Sequence, residues 1–173
     1  SQNPGGSPGV AEPAETGTTN LPVVINEFLA HGDATPDFIE LFNYSTQAVS
    51  LAGCWLSDDA GTNKFFIAPG TILAPRGLVA FAETELGLAL SADGETAWLR
   101  DPAGRVLDAV RFGGQQRGVS TGRTPDGAPL FSRLRTRTPG AANSGPLPAV
   151  VVLNEIMFNP ISGDRGDEFI ELK

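Results

Sequence analysis

A chain of 173 residues can hold one domain with a proper core plus flanking pieces. Its 21 Gly and 14 Pro are too many turn-formers for a helical bundle, and with one Cys and one His it can form neither an internal disulfide nor a Cys/His zinc site. The net charge of −8 argues against general nucleic-acid binding, and no apolar run approaches the roughly 18–20 residues of a membrane span.

Residues 1–20 contain no aromatic residue and one branched aliphatic, Val10. Such a segment buries too little apolar surface to offset the entropy of ordering its backbone, and it reads as a flexible linker. No basic start followed by an apolar stretch marks a signal peptide there. From residue 21 to 143 short apolar or alternating runs are separated by turn signals. The predicted strands are 22–29, 37–43, 53–58, 64–68, 78–82, 95–100 and 105–112, with a weaker one at 129–134. Strands at this even spacing predict an all-β sandwich or barrel. The stretch 83–93 has helical propensity but contains Gly87 and ends in Asp93-Gly94, so a loop with one turn is expected. Asp101-Pro102-Ala103-Gly104 is placed to close a hairpin between 95–100 and 105–112.

In 37–43 the alternation puts Ile39, Leu41 and Asn43 on one face and Phe38, Glu40 and Phe42 on the other. Trp55 reads as a large core residue, and Cys54 as a small buried hydrophobe. The sequence then repeats. VVINEF at Val23 returns as VVLNEI at Val151, and FIEL at Phe38–Leu41 returns at Phe169–Leu172. Residues 150–173 thus read as the first two strands of a second, truncated copy, joined by a Pro/Gly hinge at 144–149.

Together, INEF (25–28), FIELFN (38–43), VSLAGCWLSD (49–58), FIAPGTILAPRG (66–77), LALSADGETAWLRDPAGRVLD (88–108) and TPGAAN (138–143) resemble the bacterial lamin-tail domain. The resemblance implies an immunoglobulin-like β-sandwich over about residues 22–143. It also implies an accessory module of secreted or surface multi-domain proteins, and hence an extracellular or cell-surface location.

The candidate chemistry is sparse. Glu27 and Glu40 fall on neighbouring strands, and their counterparts Glu155 and Glu171 recur. As hard oxygen ligands they suit calcium, with Asp33 or Asp37 nearby; as plain strand residues they would line an exposed face. The arginines of 105–137, among them Arg111, Arg117, Arg123, Arg133 and Arg135, could grip an anion or balance the acidic remainder of the fold. His31 has no nucleophile motif beside it. The sequence thus favours a non-catalytic interaction or spacer module that binds protein, glycan or a surface polymer. The competing expectation is a nucleic-acid or anion-binding accessory to an attached enzyme such as a nuclease. The unpaired second copy, 150–173, is expected to self-associate or pair with a free sheet edge.

Overall fold

The computed structural model describes residues 21–148 and 151–173. The segment read as a linker, 1–20, lies outside the described residues. The elements run β1 (Val23–Leu29), β2 (Phe38–Asn43), β3 (Val49–Ser50), β4 (Trp55–Ser57), β5 (Phe65–Phe66), β6 (Ile72–Leu73), β7 (Leu78–Ala82), α1 (Glu83–Leu86), β8 (Glu95–Arg100), β9 (Val106–Phe112), β10 (Thr121–Arg123), β11 (Phe131–Arg133), β12 (Leu153–Met157) and β13 (Phe169–Leu172). A five-stranded antiparallel sheet has the order β11-β10-β1-β2-β7, and a four-stranded one the order β5-β4-β8-β9. A two-stranded piece joins β3 to β6. Ile25, Phe28, Ile39 and Leu41 from the first sheet and Leu56, Ala97, Leu99 and Val110 from the second share one buried core. This is the expected immunoglobulin-like β-sandwich, with one helical turn.

That turn, α1, stops where the sequence predicts. Gly87 takes a left-handed conformation (φ 64°) and its N–H closes on the Glu83 carbonyl, a backbone state costly for other residues. The β8–β9 hairpin also forms. Its loop is organised by Asp101, whose Oδ1 accepts from the Ala103 and Arg105 N–H groups while Oδ2 pairs with Arg105 Nε at 2.6 Å.

Two expectations need correction. Trp55 is only half-buried, while Cys54 and Leu56 on either side are fully buried. Strand alternation sends the indole the other way, edge-on to Phe66 at 4.9 Å. The face of β2 opposite the core is not exposed: all six residues, Phe38 to Asn43, are buried. The chain after β10 covers that face.

The covering strap starts at residue 124. Gly127 has φ 73°, and a Cβ there would meet the Phe42 ring at 2.9 Å. A Cβ on Gly122 in β10 would meet Asn143 Nδ2 at 2.6 Å. Glycine at these positions lets strap and sheet approach at backbone distance. Beyond Asn143, the last residue of the strap, the chain returns to β11: the Gly145 carbonyl accepts from Arg135 N, and Leu147 N donates to the Arg133 carbonyl. The first residues of the segment read as a hinge therefore line the outer edge of β11. Strands β12 and β13 pair with each other, and among the described residues no hydrogen bond joins 151–173 to 21–148.

Candidate functional site

The most concentrated polar chemistry lies on the covered face of the five-stranded sheet and begins with a bulge. The register between β1 and β2 shifts between Ile25 and Glu27, so Asn26 is an extra residue. An extra residue lets Ile25 and Phe28, three apart, both face the core, where strict alternation would separate them. A bulge also leaves main-chain groups without ladder partners, and buried groups of that kind must be satisfied elsewhere. Two side chains supply the partners. The Ile25 N–H donates to Asp108 Oδ2 of β9 at 2.9 Å, and the Ile25 carbonyl accepts from Arg123 Nε of β10 at 2.8 Å. Arg123 Nη2 also pairs with Asp108 Oδ2 at 3.0 Å, and its guanidinium lies over the Phe131 ring.

Beyond the bulge Glu27 and Glu40 sit directly opposite each other. Both are fully buried, not on the exposed face expected of them. Their oxygens face donors on the strap and on Asn26. Glu27 accepts from Thr138 N at 3.1 Å and Thr138 Oγ1 at 2.7 Å. Glu40 accepts from Asn26 Nδ2 at 3.1 Å and Gly140 N at 2.6 Å. Asn26 is itself clamped: its amide donates to Asp126 Oδ1, and its carbonyl oxygen accepts from Gly127 N. Asn143 closes the strap, donating from Nδ2 to the Arg123 and Asn26 carbonyls. Burial pushes the Glu40 carboxyl up to about 7, and the nearby charges of Glu27 and Asp126 add to the effect against the hydrogen bonds from Asn26 and Gly140.

The site thus uses Asn26, Asp108, Asp126, Thr138 and Asn143, none of which the sequence reading singled out. A signal was available for three of them. Asn26 recurs as Asn154 in the repeat, and Thr138 and Asn143 bound the TPGAAN block. The calcium candidates Glu27 and Glu40 do come together, but Asp33 pairs with Arg137 at 2.8 Å and Asp37 accepts from Gly32 N. Among the described residues no group of three or more His, Cys, Asp or Glu side chains is arranged to hold a metal ion.

The arginines divide. Arg123 is buried in the brace just described, and Arg137 is paired with Asp33. Arg111 on β9, Arg117 after it, and Arg133 and Arg135 at the β11 edge are exposed, with no ion pair among the described residues. His31 Nδ1 lies 3.2 Å from the Gln115 carbonyl.

The sequence matches the family model of the lamin tail domain over residues 16–114. The chain belongs to the lamin tail domain family. No curated protein matches it. The match covers β1 to β9, so β10, β11 and the strap that seals the lamin tail domain's acidic pair lie beyond it. The family is an immunoglobulin-like interaction fold, compatible with a non-catalytic module. No helix among the described residues is long and apolar enough to cross a membrane.

Proposed function

We propose that this lamin tail domain is a non-catalytic interaction and spacer module of a secreted or cell-surface bacterial protein, one of a tandem set that binds protein, glycan or a surface polymer. One observation carries the non-catalytic part. The two carboxylates best placed for acid–base work are sealed under the strap and committed to holding it, so they meet no substrate. Hairpin 151–173 supports the tandem reading. Its register shifts between Leu153 and Glu155, as that of β1–β2 does between Ile25 and Glu27, and Asn154 Nδ2 donates to Glu171 as Asn26 does to Glu40.

Co-sedimentation of the full chain with purified peptidoglycan and with immobilised glycans tests the binding reading, with duplex DNA at low salt as the competing arm. Retention on a surface polymer, with DNA affinity no greater than that of an acidic control protein, is the expected result. DNA binding that weakens when Arg133 and Arg135 are changed to Ala would replace this reading with the anion-binding one.

A further inference from the structure

The last loop of the strap is built as a lid. At its neck, Thr136 N donates to Ser144 Oγ at 3.0 Å, and Ser144 Oγ donates to the Thr136 carbonyl at 2.9 Å. At its tip, Ala141 N donates to the Thr138 carbonyl, with Pro139 and Gly140 (φ 80°) in the two central places of a type II turn. That turn leaves the Thr138 and Gly140 N–H groups to point at Glu27 and Glu40. Nothing apolar anchors the lid. Pro139, Ala141 and Ala142 are exposed, and no residue of 136–144 joins the buried core. From Arg137 to Ala142 its polar anchors, among the described residues, are the two glutamates and the partly exposed Arg137–Asp33 pair. An ion pair of that kind adds little, and a segment with few buried apolar contacts opens at a lower free energy than the domain around it.

The lid closes over an unbalanced charge. Glu27 and Glu40 lie opposite each other across β1 and β2, fully buried. All of their donors are neutral, and neither belongs to an ion pair among the described residues. The groups that face Glu40 deepen the imbalance. Strand β1 brings Glu27, residues 124–130 bring Asp126, β7 sets uncharged Ala80 opposite it, and the lid offers only the Gly140 N–H. The Arg123 guanidinium on β10 is taken by Asp108. Two enclosed carboxylates so close together are not both ionised cheaply. The closed site therefore takes up a proton, and burial pushes the Glu40 carboxyl up to about 7. Once the lid lifts, water solvates both groups and the proton is no longer needed.

We propose that loop 136–144 is a proton-gated lid, closed while Glu40 holds a proton and lifting from an otherwise folded sandwich when that proton is lost. Closing raises the affinity of Glu40 for its proton, so closure is strongest below the ordinary 4.5 and weakens until the pH reaches about 7. Between pH 5 and pH 8 the opening equilibrium should rise on the order of 70-fold. The Arg137–Asp33 pair does not gate the lid, because Arg137 holds the Asp33 carboxyl down to about 2.

Amide hydrogen exchange of the full chain, followed by NMR from pH 5 to pH 8 with and without low urea, tests the lid. Each rate is divided by the intrinsic chemical rate at that pH. The Ile67 N–H, donated to the Cys54 carbonyl in the core, reports opening of the whole domain. The Thr138 and Gly140 amides are expected to exchange faster than Ile67, without acceleration by low urea, and to show the roughly 70-fold rise with pH. Glu40→Gln should abolish that rise, because a side-chain amide does not titrate. Lid amides that share the rate and urea dependence of Ile67 overturn the proposal, since the lid then opens only with the whole domain. Local opening that changes less than about threefold across the range also overturns it, as does a folded Glu40→Gln chain that keeps the rise. The wild-type series decides alone if the variant does not fold.

Discussion

Hairpins β1–β2 and β12–β13 are close to one experiment done twice. They share the N-E and F-I-E-L blocks, the one-residue shift in register, the opposed glutamates and the asparagine-to-glutamate hydrogen bond. They differ in surroundings. In the first, Glu27 and Glu40 are fully buried; in the second, every residue of β13 is exposed. The bulge and its polar pairing therefore belong to the local sequence. Burial, the raised Glu40 carboxyl and the brace at Ile25 come from β9, β10 and the strap.

The largest break in this comparison should come from the brace. Arg123→Ala leaves the Ile25 carbonyl and the Asp108 carboxylate without their buried partner, which typically costs about 3 kcal/mol or more. The melting temperature of 21–148 should fall by on the order of 10 °C. A loss under 2 °C would mean that the bulge holds itself in both hairpins.

The pH dependence comes next. The Glu40 carboxyl sits at about 7 in the fold, against an ordinary value of 4.5. Between those limits the folded state holds a proton that the unfolded chain has released. Stability should therefore fall as pH rises from about 4.5 to 7 and level off above, by up to about 3 kcal/mol. Glu40→Gln should flatten that slope in melts taken at pH 5 and pH 8.

A smaller contrast separates the asparagines. Asn26→Ala strips partners from Glu40, Asp126 and Gly127 and should cost about 1–3 kcal/mol. Asn154→Ala removes one exposed hydrogen bond and should stay within about 0.5 kcal/mol. Equal effects in chemical denaturation would show that the strap contributes nothing to the first hairpin. Smallest among the strap changes, Thr138→Ala removes one donor to Glu27 while the Thr138 N–H remains, and about 1 kcal/mol is expected.

Wherever a local signal decides the outcome, the sequence was readable. The DPAG loop and the flanking alternation located β8 and β9, and Gly87 ended α1. Other features depend on partners far along the chain. Trp55 reads as core because it is large, but Cys54 and Leu56 set the phase of that strand. Strand β10 is three residues, Thr-Gly-Arg, with no apolar pattern, and it exists because Glu27 and Phe28 on one side and β11 on the other pair with it. Glu27 and Glu40 looked exposed because the residues that cover them lie about 100 positions away. The repeat did mark Asn26 and both glutamates as belonging together, although it gave no sign that they are buried.

The strap also sets an order of assembly. Thr138, Gly140 and Asn143 close over residues made 100 or more positions earlier, so the first sheet stays open on one face until nearly the whole unit has been synthesised. Contacts this distant in sequence form slowly, and folding runs from the N-terminus as the chain emerges. During that interval Glu27, Glu40 and Phe42 lie on an uncovered face, and closing the strap is what takes them out of water.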